Sequence, residues 1–468
     1  MTVSRSVIAG AVLSGCLSLA LAGPPAGAQA PADTVRLALS LDESIRLALT
    51  RSRAAVAARL GREEQALALE RAEERYDPRF SLDAGADFRD GSDGTADLSV
   101  GTGLRVRSGG MFRFRFRQPV LAEGDRDPGV DLSFSQPLLR GFGTDIDTAP
   151  LYRARLQEEI NLRAFRDRAS DIVGSVISAY RNALRARRRV TIARDALERA
   201  RRQLEINRSL VEAGRMAPQD LVQSEAVVVN REYSLSDSEN ALETADSTLA
   251  NVLDLEEGTL LEPGEEPPFE PERPDPDASL ETAFSLRTDW LQAETRLVLS
   301  RLDLRIAENN LLPDLALRAT ASHQSGAGVD LTGGLSLTVP LWDREPGRTL
   351  VRARNSVRRA EMDLAERQQS IRIQVHRAVH NVGVALRQID LAGQARELSE
   401  QKLDVERRKL RQGLSSAFQV DRFEDDLVAA QNRELDAVVG YRNALTRLDR
   451  TLGTTLDRWG VSVERLGR

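Results

Sequence analysis

Apolar positions between residues 147 and 211 recur in steps of four and three: Ile172, Val176, Ala179, Ala183, Ala186, Val190, Ala193, Leu197, Ala200, Leu204 and Val211, with Asn207 at the one polar place. That 3.5-residue repeat predicts a helix that supercoils against partner helices. No proline follows Pro150 in the stretch, and alanine fills nearly half of the seam, so neighbouring backbones can approach closely. At about 1.5 Å per residue the rod is roughly 100 Å long. A second rod over 348–411 keeps the rhythm through Ala378, Val382, Ala385, Ile389, Ala392, Leu403 and Leu410, with Arg396, Ser399 and Glu406 at polar places.

Before each rod the period changes to two. Over 79–137, Phe80, Leu82, Ala84 and Ala86 alternate with small or polar residues, as do Leu98, Val100, Leu104 and Val106. In the run 112–117 three phenylalanines alternate with Arg113, Arg115 and Arg117. A shorter pair of runs follows over 314–341. Alternation of this kind predicts strands with one apolar and one polar face. A soluble sheet with one wet face shows it too. In an exported chain, strands of about 9–11 residues suit a transmembrane barrel, with phenylalanine towards lipid and arginine towards a wet lumen.

Helical segments of about 41–76 and 279–312 precede the strands, and return helices of about 218–254 and 417–457 follow the rods. Laid end to end, each short pair matches one rod in length. The tips fall at 213–220 and 412–417, with Gly214 and Gly413 as helix stops and Pro218 opening a return helix. Residues 255–278 are an acidic, proline-rich linker between a first repeat (31–254) and a second (279–457), with a tail at 458–468. The architecture expected is mainly α with a transmembrane β-barrel, internally duplicated, its long coiled-coil helices forming a wall of uniform height. Both flanking helices of each half lie on one side of the membrane, so each half crosses an even number of times. Whether the first repeat supplies two barrel strands or four stays open.

Composition adjusts this picture little. The chain of 468 residues is only 4% aromatic and 29% charged, which suits solvated helices better than a thick globule. A net charge of −6 is no nucleic-acid footprint. Residues 1–30 read as a signal peptide, with Arg5 before the apolar run and cleavage after Ala30. The segment Leu13-Ser14-Gly15-Cys16 reads alternatively as a lipidation signal on Cys16. His376 and His380 lie four apart but lack a third ligand at useful spacing, and no nucleophile, phosphate loop or cofactor motif is visible. An enzyme is not expected. A structural coiled-coil envelope protein without transport is the alternative to a duct, and it leaves the paired strands unexplained.

Several short segments carry a resemblance: Leu39-Ser40-Leu41-Asp42-Glu43-Ser44-Ile45, Tyr76-Asp77-Pro78, Ser135-Gln136-Pro137-Leu138-Leu139-Arg140-Gly141, and the two tips from Ala213 to Leu221 and Gln412 to Val420. In order and spacing they resemble the TolC-like outer-membrane efflux proteins over essentially all of the mature chain. The resemblance implies a homotrimer in the outer membrane of a Gram-negative-type bacterium, its helical wall closed into a long coiled-coil α-helical barrel with a small β-barrel above it. A large periplasmic part would meet an adaptor (membrane fusion) protein and an inner-membrane pump of RND, ABC or MFS type. Substrates pass unchanged. It also implies a periplasmic gate built on an acid after the first tip and an arginine two places after the second tip glycine. Asp220 fills the first place, but Ser415 stands at the second. Asp421 and Asp425, four apart on one helix, are the substitute acids expected at the mouth, with Arg422 a partner from a neighbouring copy.

Overall fold

The computed structural model describes residues 36–87, 95–121, 127–256, 259–325 and 328–462. Cys16 and the export segment lie outside these residues. Strand β1 (Arg36–Leu39) leads into helices α1 (Leu41–Arg51) and α2 (Arg53–Glu73). Four strands follow, β2 (Arg79–Asp87), β3 (Thr95–Arg105), β4 (Met111–Leu121) and β5 (Gly129–Pro137). A short α3 (Thr144–Asp147) precedes the first rod, α4 (Ala149–Glu212), and its return helix α5 (Pro218–Leu253). Then come β6 (Leu260–Pro263), α6 (Pro276–Leu286), α7 (Thr288–Asn309), β7 (Asp314–Gln324) and β8 (Val329–Thr338). The second rod α8 (Glu345–Arg411), its return helix α9 (Ala417–Leu452) and a last turn α10 (Thr455–Arg458) complete the order.

Helices form a single layer four abreast. Towards the strands the order of packing is α2, α4, α7, α8; towards the tips it is α5, α4, α9, α8. Rod α4 therefore has neighbours on both sides, and α8 lies at an edge. Their burial differs accordingly. Besides the expected seam, α4 buries Ala169, Val173, Ile177 and Tyr180 as a second stripe, whereas α8 buries mainly Ile371, Val375, Val382, Ala385, Leu403 and Leu410.

Two of the expected continuous helices are broken. The segment 41–76 is interrupted at Ser52, whose hydroxyl accepts from the Ala55 backbone N–H and so starts a new helix. The segment 279–312 is interrupted at Arg287, which is extended (ψ 121°) and ties its guanidinium to Asp289 and to the Thr451 carbonyl. The linker also holds regular structure. Its β6 pairs in parallel with β1, and α6 already begins at Pro276, a position where proline loses no hydrogen bond. Strands β1 and β6 lie over the main core of Ile45, Val173, Val176, Tyr180, Leu249 and Leu456, while α6 packs on a second one with Val382, Tyr441 and Leu448. Glu266 of the linker pins the halves together, pairing with Arg181 of α4 at 2.7 Å and with Arg442 of α9, all three nearly buried.

All six long strands join one antiparallel sheet in the order β2-β3-β4-β5-β7-β8. The open choice between two and four strands from the first half is thereby resolved at four. Pro119 lies inside β4, where it can donate no ladder bond, and the register slips opposite it between Ala96 and Asp97.

Candidate functional site: the sheet's polar face and the helical tips

Register fixes which residues share a face. Phe114 lies opposite Thr102 on β3 and Leu132 on β5, and Leu132 lies opposite Ala321, which faces Leu331. Phe112, Leu104 and Phe134 form the next row, with the rings of Phe112 and Phe134 4.5 Å apart. One apolar face thus crosses six strands. On the opposite face Arg113, Arg115 and Arg117 meet Gly103, Gly101 and Ser99 on β3, and Ser133, Asp131 and Gly129 on β5. Small neighbours leave each guanidinium room to extend, and Arg113 and Arg115 line a hollow with Asp131, Ser133 and Thr320.

Both faces of the sheet are open, and Arg113, Arg115 and Arg117 are exposed on the polar one. Phe112, Phe114, Val100 and Leu132 are 40–49% exposed, while Ser99 of the polar face is 7% exposed. None of the three buried apolar clusters includes a residue of this sheet. Nothing among the described residues covers the apolar face, and water is a poor solvent for a patch of that extent.

The sheet is fastened to the helices by polar contacts. Arg105 donates to the buried Asp147 carboxylate at 2.8 Å, and the Tyr76 hydroxyl donates to the Asp147 carbonyl at 2.7 Å. Across the junction the Asn309 side chain accepts from the Gly141 N–H at 2.8 Å.

At the far end both tips turn alike. Gly214 and Gly413 have φ of +69° and +75°, and the next residue's N–H returns to a carbonyl five positions back, Arg215 to Leu210 and Leu414 to Lys409. This is the helix stop that glycine permits. Asp220 is exposed in the first turn of α5. Ser415 is engaged within its own tip, donating to Glu406 at 2.6 Å; that bond and Lys409 hold the Glu406 carboxyl below its usual range. The polar seam places nearest the tips, Asn207 and Glu406, are thus both satisfied, since Asn207 donates to Ser224 at 2.7 Å.

The acids beyond the second tip are not equivalent. Glu424 is nearly buried between Arg199 of α4, at 2.9 Å, and Arg407 of α8. Asp425 pairs with Arg231 of α5, and Asp426 lies 3.3 Å from Lys402. Asp421 has one buried carboxylate oxygen with no hydrogen-bond partner. Burial, then Asp425 and Glu424, push its carboxyl up to about 6, opposed by Arg231. The expected pair of free acids is therefore split: Asp425 is neutralised by Arg231, and Asp421 is alone in lacking a compensating bond among these acids. Arg231, Arg199 and Arg407 were not singled out by the sequence, because arginines recur throughout the rods and only the packing selects these three. No group of three metal-ligating side chains occurs among the described residues.

Comparison with known proteins follows this geometry. A family model described as outer membrane efflux protein matches residues 123–254 and 280–454. Solved structures share the fold. CusC superposes with a TM-score of 0.69 at 15% identity over 88% of this chain and 92% of its own. VceC of Vibrio cholerae gives 0.68 at 16% identity over 88% and 96%. The open state of the MtrE outer membrane channel of Neisseria gonorrhoeae gives 0.67 at 16% over 89% of each. A search of curated proteins by sequence finds no match.

Proposed function

Because the chain belongs to the outer membrane efflux protein family, we propose that three copies assemble into a duct through which cargo leaves the periplasm unchanged. In this reading the six-stranded sheets close into a barrel in the outer membrane, with Arg113, Arg115 and Arg117 towards its water-filled lumen. The helical layer closes beneath it as a barrel of about 100 Å at 1.5 Å per residue. The tips around Gly214 and Gly413 form the periplasmic entrance, meeting an adaptor and an inner-membrane pump of the RND, ABC or MFS class. The chain itself performs no chemistry and needs no cofactor.

One observation carries the proposal. The sheet exposes a continuous apolar face that no element among the described residues covers, and its other face is polar and rich in arginine. A hydrocarbon environment outside and water inside satisfy both faces together. The structural-rod alternative accounts for the helices and leaves that face in water. Both edges of the helical layer also carry uncovered apolar residues at sevenfold spacing. These are Val222 and Val229 on α5 (67% and 63% exposed), and Leu391 and Leu398 on α8 (66% and 64% exposed). Apolar edges of this kind are what the helices of a neighbouring copy would cover in a coiled-coil wall.

At the entrance, the missing cation at Ser415 and the pairing of Asp425 favour a closed state held by packing and ion pairs within each copy. Asp220 at the first tip and Asp421 beyond the second are the acids left for the mouth. Purified protein added to a planar lipid bilayer tests the duct directly. Stable, stepwise ion conductance is expected; protein that inserts as an assembled trimer yet never conducts would overturn it.

A further inference from the structure

We infer that Arg79, Arg113 and Arg318 form an anion-attracting girdle at the helix-proximal end of the sheet, so that the duct favours anionic cargo, solutes bearing carboxylate or phosphate groups. The inference rests on the duct reading above and adds to it the class of cargo and the residues that select it.

Register places charge row by row along the polar face. In the row nearest the helices Arg318 stands between Ser135 on β5 and Gly334 on β8, with Arg105 on β3 at the same level. The next row crosses all six strands as Arg79, Gly103, Arg113, Ser133, Thr320 and Thr332. Neither row contains a carboxylate. Further along the strands the balance changes. The third row sets Arg115 against Asp131 and Asp330, and the fourth sets Arg117 against Asp83. The uncompensated positive charge is therefore confined to the first two rows, and the face carries a step of potential instead of a uniformly basic lining.

Arginines that fasten this junction are paired. Arg105 holds the buried Asp147, and Arg140 lies 2.8 Å from Asp314. At the same depth Arg79, Arg113 and Arg318 are exposed and have no ion-pair partner among the described residues. Their neighbours Gly103, Ser133, Thr320 and Gly334 are small and leave the space beside them empty. Arg79 and Arg113 border one hollow, which Gly103, Ser133 and Thr320 also line. A guanidinium with free N–H groups takes a carboxylate or phosphate through two parallel hydrogen bonds. Successive rows on one face of a strand lie about 7 Å apart, within the Debye length of about 8 Å at physiological salt, so the two rows act as one ring. Three arginines per copy become nine around the axis of a trimer. A wall of strands backed by hydrocarbon focuses their field into the water it encloses, concentrating anions there and repelling cations. Because the three side chains stand in solvent, each contact is weak enough to release what it attracts.

The test compares wild-type trimers with a variant carrying Arg79→Gln, Arg113→Gln and Arg318→Gln together. Reversal potentials are read in planar bilayers under a potassium chloride gradient. Entry of free glutamate and free lysine, similar in size and opposite in charge, is followed in liposomes. Wild type and variant share the same tip acids, so the difference between them reads the barrel alone. At low salt, where the Debye length is about 30 Å, the glutamate-to-lysine ratio of the wild type is expected to be about tenfold that of the variant, with the reversal potential further to the anion side. At about 1 M salt, where that length is about 3 Å, the difference should vanish. Lysine at the same three positions keeps the charge and should keep the preference. Should the triple glutamine variant not assemble, Arg113→Gln alone is measured in the same way, with about a twofold loss expected. Conducting trimers in which wild type and glutamine variant agree at low salt overturn the girdle and leave the duct standing, as does a difference that persists undiminished at 1 M. Wild-type trimers that insert and never conduct overturn the duct itself.

Discussion

Replacing Asp421 by asparagine should stabilise the second tip at neutral pH. The carboxyl of Asp421 is pushed from 3.8 to about 6, first by burial and then by Asp425 and Glu424. That rise corresponds to at most about 3 kcal/mol against the ionised form. Asp421 keeps partial contact with solvent, which reduces the figure to about 1–2 kcal/mol. The sign follows from proton binding. Between 3.8 and about 6 the folded tip holds more protons than the unfolded one, so its stability falls as pH rises through that window and is lowest above it. Asp421→Asn removes the ionised form and is about isosteric. Hydrogen exchange of the α9 amides near residues 417–430, corrected for the intrinsic pH dependence of exchange, reads this locally. At pH 7.5 the variant should exchange about 5–30-fold more slowly than wild type. At pH 5, inside that window, the difference should be roughly halved, and the two should converge only at about pH 3.8 and below. Equal exchange at pH 7.5, or a gain that persists undiminished at pH 5, would refute the argument from burial and like charge.

Other outcomes follow from the same contacts. Phe114→Arg places a charge on the apolar face at a cost of about 2–4 kcal/mol per chain, and should abolish heat-resistant trimers in outer-membrane fractions. Arg115→Ser should leave trimers intact and shift the reversal potential in a salt gradient towards cations. Glu424→Ala leaves Arg199 and Arg407 facing each other without their shared acid, and should cost about 3–5 kcal/mol, seen as a large fall in thermal stability. Asp426→Ala, which breaks only a half-exposed pair with Lys402, should cost less than about 1 kcal/mol in the same assay. Gly413→Ala forces a side chain onto φ +75°, and should loosen the tip by about 1–2 kcal/mol, measured as faster tryptic cleavage near Arg411.

Periodicity alone determined much of the architecture. Heptad spacing located both rods to within a few residues, because a long supercoiled helix must repeat its contact every 3.5 residues. Alternation over 112–117 placed Phe114 and Arg115 on opposite faces, because a strand's side chains have a period of two. Glycine marked both tips, and Pro218 the start of the first return helix, for equally local reasons. Other features depend on contacts between distant segments and leave no local trace. The breaks at Ser52 and Arg287 lie inside good helical pattern and exist because the short elements β1, β6 and α6 pack there. The second buried stripe of α4 follows from its interior place in the layer, which α8 lacks. The acids from Asp421 to Asp426 read as one negative cluster in sequence; in space they divide among α4, α5 and α8, and only packing decides that Glu424 is shared by two arginines while Asp421 is left without a bond. The strand number has the same status. Alternation identifies four runs in the first half, but whether all belong to one sheet depends on hydrogen bonds between chain segments, and those only the tertiary structure assigns.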